Sequence, residues 1–243
     1  MIQLARPRDV TELFRDTFGV FFRHAWVFIA LSAAVVVPVH LVVEGIGLEM
    51  LTGSYDSSPS LAENTVPTLV DFLVVSPIIT AICIHALRAI AEGRRPRPSR
   101  ALVSGFEAFT PLFFAVLLAA LGIAAGFVLL ILPGVYLFVR WFFVPQAVVI
   151  ENARGWPALV RSGEVVQGFW WRAFGLVLLI TLAVAIPGLL LAAPFASIAD
   201  STGHAYWALA GTMLAAAVTA PVPALYSIFL YYDLLARRLP PGY

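Results

Sequence analysis

The chain has no lysine, one cysteine and few charges of any kind. Its 243 residues include fifteen basic groups, all of them arginine, and fourteen acidic ones. Charged residues make up 12% of the chain, against roughly 25% in a soluble domain. That shortage excludes a globule dissolved in water, because there is too little charge to cover one. The single cysteine, Cys83, excludes an intramolecular disulfide. A formal net charge of +1 argues against a polyanionic partner, so nucleic acid is not expected. No Walker loop, H-E-x-x-H, G-x-S-x-G or paired-cysteine motif occurs, and no nucleophile stands at a useful spacing from a base. The expectation is a protein that is not an enzyme, with no cofactor and no metal centre.

What is there instead is apolar. The chain is 61% hydrophobic with a mean hydropathy of +0.93. Residues 108–139 and 173–199 carry no charge at all, and both runs exceed the ~18 residues that mark a membrane span. The expected fold is all-α: one polytopic transmembrane domain of six spans, at about 25–46, 66–91, 110–132, 135–150, 171–194 and 206–235. Residues 1–24 read as an interfacial amphipathic helix. Val10, Leu13, Phe14, Thr17, Phe18, Phe21 and Phe22 share one face, and Glu12, Arg15 and Asp16 take the other. Such a helix would lay its phenylalanines in the lipid. Asp9 followed by Glu12 resembles a capping box. The acidic residues ahead of the first apolar run argue against a cleavable signal peptide.

The third and fourth spans need a break between them. Residues 110–139 as one helix would run about 45 Å, against a hydrocarbon core of about 30 Å. Leu132-Pro133-Gly134 supplies the reversal. With it, Arg6, Arg8, Arg15 and Arg23 share a side with Arg88, Arg94, Arg95, Arg97 and Arg100, and with Arg154, Arg161, Arg172, Arg237 and Arg238. The opposite loops hold Glu44, Glu49, Asp56, Glu63 and Asp200. By the positive-inside rule both termini of this multi-pass protein are expected on the cytoplasmic side. Trp26, Trp156, Trp170 and Trp171 fall at the same interface, and Trp207 at the other.

Residues 21–38 resemble residues 170–187 at an offset of 149, placing Arg23 on Arg172 and Pro38 on Pro187. A third copy starts at Ser104 without the arginine. Three parallel helix pairs, each led by an interfacial helix, would follow. Chance similarity between apolar segments is the competing account.

A few polar residues lie within the spans. Arg140 is flanked by apolar residues, about 8 Å from the outer end of the expected fourth span. Arginine cannot shed its charge, and burying it in lipid is costly. Three readings stand. It pairs with a carboxylate or with carbonyls freed by Pro133, Pro145 or Pro187; it contacts a headgroup or substrate; or it snorkels outward. Glu151, eleven residues on, is too far for direct pairing. His40 and Glu44 stand one turn apart, with Asp71 at a similar depth. They suggest a cation or proton site, though the ligand set is incomplete and interfacial solvation accounts for all three. His85 and Asp233 read as interfacial. Prolines 38, 77, 145, 187, 194, 221 and 223 interrupt the spans, either for packing or to shape a cavity. Gly122 and Gly126 form a G-x-x-x-G pair for close helix contact. Arg94, Arg95, Arg97 and Arg100 are lipid-headgroup candidates, and the topology signal alone also explains them.

At Leu132-Pro133-Gly134, Val139-Arg140, Pro145, Glu151, Arg161-Ser162 and Trp170 to Arg172 the chain resembles a known family. It is similar to the glycerophosphoryl diester phosphodiesterase membrane-domain family and to the YciC-like bacterial inner-membrane proteins. The phosphodiesterase chemistry of that group belongs to a separate soluble barrel, for which this chain has no residues left over. The resemblance therefore implies a membrane module of a bacterial inner (plasma) membrane and not an esterase. The function expected is a non-catalytic envelope scaffold, accessory subunit or lipid-interacting module. Its expected partners are membrane lipids and other membrane proteins. The alternative is a small transporter, channel or lipid-translocating protein. A polar cavity reaching Arg140 would favour the alternative, and a paired Arg140 in a dry bundle the first.

Overall fold

The computed structural model describes residues 3–45 and 61–238, the side chains of residues 44, 45 and 61–64 excepted. Glu49 and Asp56 lie outside the described residues, and so do the side chains of Glu44 and Glu63. The described residues build helices and no strand.

Three units with the same element order follow one another. The first holds α1 (Val10–Arg23), α2 (Ala25–Gly45), α3 (Leu61–Val70), a π-helical turn (Asp71–Val75) and α4 (Ser76–Ala91). The second holds α5 (Pro98–Glu107), α6 (Phe109–Leu129), α7 (Ile131–Trp141) and α8 (Val144–Glu151). The third holds α9 (Trp156–Val166), α10 (Trp170–Thr202), α11 (Ala205–Thr219) and α12 (Pro221–Ala236). Each unit is a short amphipathic helix, a long apolar helix and a returning span broken near its middle. The breaks have one cause. Pro77, Pro145 and Pro221 lack an N–H and stand in the first two positions of α4, α8 and α12, where none is needed. In the first unit the ladder slips to a π turn instead of opening, and the Ser76 N–H bonds the Asp71 carbonyl.

Six helical stretches are long and apolar enough to cross a membrane: Ala25–Val43, Thr65–Ala91, Phe109–Leu129, Ile131–Glu151, Trp170–Thr202 and Ala205–Ala236. Large apolar side chains on α10, among them Ile186, Leu189 and Leu190, stand more than 60% exposed. Water would not tolerate so wide an apolar surface. The chain is a multi-pass membrane protein.

Several boundaries differ from the sequence reading. The reversal before α7 falls at Leu130, which is extended (φ −165°, ψ 154°), and not at Leu132-Pro133-Gly134. Pro133 sits in the first turn of α7, where its missing N–H costs nothing; the proline starts a helix rather than ending one. The fifth span continues through Pro194 to Thr202. The apolar face of α1 packs onto protein rather than lipid: Leu13, Thr17, Val20 and Phe21 are buried, and the Phe14 ring lies 5.1 Å from Tyr226 of α12. Phe22 alone of the α1 phenylalanines stays largely exposed. The Asp9 N–H donates to Glu12 Oε2 (3.1 Å), as the capping box requires.

Gly122 and Gly126 do mediate a close helix contact, within the chain. A Cβ on Gly126 would stand 3.0 Å from the Gly134 Cα, and one on Gly122 would strike the Trp141 ring. The α6–α7 hairpin closes on these glycines. At the centre of the bundle stands α12, touching α1, α2, α4, α9, α10 and α11. Its residues Leu225, Tyr226, Phe229 and Tyr231 are fully buried.

Candidate functional site

One end of the bundle carries α1, α5 and α9 and most of the charge. At its heart is Asp233, fully buried on α12 rather than interfacial. It accepts the Arg8 N–H (2.6 Å) and Arg237 Nε (2.9 Å) on Oδ1, and Arg172 Nε (3.1 Å) on Oδ2. The Arg8 carbonyl in turn accepts Nη2 of both Arg172 (2.6 Å) and Arg237 (2.9 Å). The Arg8 side chain is itself buried, lies 5.0 Å over the Phe229 ring and donates to Asp16 (3.0 Å) and to the carbonyls of Leu4 and Gln3. Buried charge persists only when fully partnered, and here the partners join the start of the chain, α10 and the end of α12. Outside the spans, burial pushes the Asp16 carboxyl up, and hydrogen bonds from Arg8 and Arg6 more than reverse this, leaving it below its ordinary value.

Glu151 ties three helices together. Arg161 of α9 clasps both its oxygens (2.5 and 3.2 Å), and the Tyr231 hydroxyl of α12 donates to it (2.6 Å). The hydrogen bond to Glu151 holds the Arg161 guanidinium above its ordinary value. Next to it on α9, Ser162 patches the α7–α8 break: its hydroxyl accepts the Phe143 N–H (3.2 Å) and donates to the Arg140 carbonyl (2.8 Å).

Arg140 is exposed in the last turn of α7. Because α7 begins at Ile131, Arg140 is about 14 Å along the helix rather than about 8 Å. Its partner is not on another helix. Nη1 donates to the Tyr136 hydroxyl one turn back (2.8 Å), and the guanidinium stands 5.8 Å from that ring. Gly163 makes room for it: a Cβ there would lie 2.8 Å from Arg140 Nε. Arg140, Glu151, Arg161, Ser162 and Trp170 thus gather where the broken fourth span packs on α9 and the start of α10.

His40 and Asp71 do come together, with Nε2 3.2 Å from Oδ1. Among the described residues no group of three or more histidine, cysteine or carboxylate side chains converges as a metal site. Arg94, Arg95, Arg97 and Arg100 line one hollow of about 440 Å³ between the end of α4 and α5, joined by Arg88 and His85. Glu92 is the acidic residue on its wall, paired with Arg94.

A second cavity, of about 310 Å³, lies inside the bundle where the three broken spans meet. Pro77, Pro145 and Pro223 are on its wall, with Asp71, Gln146 and Trp141. Arg140 is not among its lining residues. Sequence reasoning marked the prolines and Asp71 but missed Gln146, which no charge or motif sets apart. No family model, curated protein or solved structure matches the chain.

Proposed function

We propose that this protein is a non-catalytic module of a bacterial inner membrane that holds anionic lipid headgroups at its arginine-rich end, with that end and both termini in the cytoplasm. The observation that carries the reading is the hollow in which Arg88, Arg94, Arg95, Arg97 and Arg100 face a single acidic residue, Glu92. Each arginine near an anionic leaflet adds about 1 kcal/mol of attraction, and guanidinium groups chelate phosphate in a fork geometry. The bond from Arg8 to Asp233, which joins the first and last segments at one end, supports termini on a common side. The resemblance to the phosphodiesterase membrane domains and YciC-like proteins is in keeping with a membrane module of this kind, working alone or as an accessory to other membrane proteins.

Native mass spectrometry of the protein released from lipid tests it. Phosphatidylglycerol should remain bound to the native chain, and replacing Arg95, Arg97 and Arg100 together with Gln should weaken retention about tenfold or more. Equal retention by the variant would refute the assignment. A small transporter, channel or lipid-translocating protein is the second reading; the cavity at the three broken spans speaks for it, and the absence of Arg140 from that wall speaks against it.

A further inference from the structure

The internal cavity has a chemical bias that its volume does not reveal. Its walls are mainly apolar and aromatic, with Phe72, Phe138, Trp141 and Phe142 among them. Of the four wall hydroxyls, on Ser76, Thr80, Thr181 and Ser227, the last three have already given their protons to their own helices. Thr80 Oγ1 donates to the Ser76 carbonyl (2.9 Å), Thr181 Oγ1 to Val177 (2.8 Å) and Ser227 Oγ to Ala224 (2.8 Å). What those oxygens have left is lone pairs. Because the Ser227 proton is committed, its oxygen accepts from Gln146 Nε2 (2.8 Å), which fixes the amide orientation. Gln146 is 2% exposed, and its Oε1 meets no donor among the described residues. A buried acceptor left unmatched costs about 1–3 kcal/mol. Prolines 77, 145 and 223 on the wall bring no N–H. At the edge stands Asp71, its side chain 47% exposed and its Oδ1 shared with His40. Among the described residues neither arginine nor histidine lines the cavity.

An acceptor-rich, aromatic hollow with one carboxylate at its edge calls for a ligand that donates hydrogen bonds and carries positive charge. We propose that this cavity binds a small hydrophobic amine in its ammonium form, held by the Asp71 carboxylate, by Gln146 Oε1 and by the faces of Trp141 and Phe142. The ammonium supplies the donor that Gln146 lacks, the rings stabilise its charge, and the apolar remainder replaces lipid-like surroundings. A bare divalent cation is disfavoured, because it needs six or more oxygen ligands and the walls are mainly hydrocarbon. The volume is at the lower end of the ~300–1,000 Å³ of small-molecule pockets, which limits the ligand to one ring and a short chain. The site shares no residue with the headgroup hollow, so the two assignments stand or fall separately.

The test is calorimetric titration of the full chain in nanodiscs, against empty nanodiscs, with 3-phenylpropylamine and its neutral counterpart 3-phenylpropanol. At neutral pH the amine is protonated, as a lysine side chain is. Expected are saturable binding of one amine per chain and affinity for the alcohol weaker by about tenfold or more. Asp71→Asn should remove most of that preference. Ala216→Phe, which fills the wall away from Asp71, should abolish binding of both. Equal affinity for amine and alcohol, no saturable binding, or amine binding that survives Ala216→Phe would overturn the proposal. The comparison of the two ligands on the native chain decides the matter even if a variant does not fold.

Discussion

The residue on which most of the charged end depends is Asp233. Three donors from Arg8, Arg172 and Arg237 converge on a carboxylate that solvent does not reach. Asp233→Ala leaves them facing apolar surroundings, and removing one partner of a buried charge cluster costs about 3–5 kcal/mol. Arg172 and Arg237 keep some exposure (24% and 27%), so the lower figure is expected, read as a fall in melting temperature in detergent. Arg237 is readable from its i, i+4 spacing to Asp233, but nothing local foretells Arg8, 225 positions away. Arg140 is the opposite case. Its hydroxyl partner is Tyr136, four residues away on the same helix, and i, i+4 spacing could have indicated it. Protons offer another check. The carboxyl groups of Asp16 and Glu12 both sit below their ordinary values, Asp16 through hydrogen bonds from Arg8 and Arg6, Glu12 chiefly through the Asp9 backbone N–H. Groups with lowered values stabilise the fold fully above the ordinary carboxylate range, near 4, and lose that contribution as pH falls through the lowered values. The melting temperature should therefore be flat from neutral pH to about 5 and drop below about 4. Asp16→Asn should reduce the drop.

Among elements, the α6–α7 hairpin has the least tolerance. A side chain at Gly126 meets the Gly134 backbone, which cannot move aside, whereas one at Gly122 meets the far edge of the Trp141 ring, which can. Gly126→Leu should cost about 2 kcal/mol or more, and Gly122→Ala less, with both read from thermal unfolding of the purified protein. That these glycines mark a close contact was legible from their spacing; that the partner is α7 was not, because spacing names no partner. Six spans were equally legible, since a run of apolar residues long enough for the bilayer has few other uses. The ends were less so. Pro133 reads as a terminator in a sequence, yet in the first turn of α7 it is an initiator, and only backbone geometry tells the two apart. The same holds for Pro77, Pro145 and Pro221, whose joint effect, three broken returning spans that share a cavity, needs the packed bundle to be seen.

For the whole molecule the sequence was most informative about solvent and least about role. Lipid as the solvent follows from composition, and the three-unit order was anticipated by matching residues 21–38 with 170–187. The candidate site was legible as a set of parts, Asp71 and the prolines, but not as a place, because Gln146 and the spent hydroxyls acquire meaning only from their hydrogen bonds. Orientation is open to direct measurement. A phosphatase fused after the last residue should be inactive and a cytoplasmic fluorescent reporter bright, since the arginines crowd the end that joins both termini. The converse pattern would reverse the proposed topology.

The position of α12 has a consequence for biogenesis. This helix, against which α1, α2, α4, α9, α10 and α11 all rest, is translated after every one of them. Until it arrives, the earlier helices stand in the bilayer like staves without a hub, and the N-terminal strap has no Asp233 to fasten to. Assembly of the bundle must therefore wait for α12 to be made, and a chain stopped short of residue 221 should be cleared by proteases while its spans remain inserted.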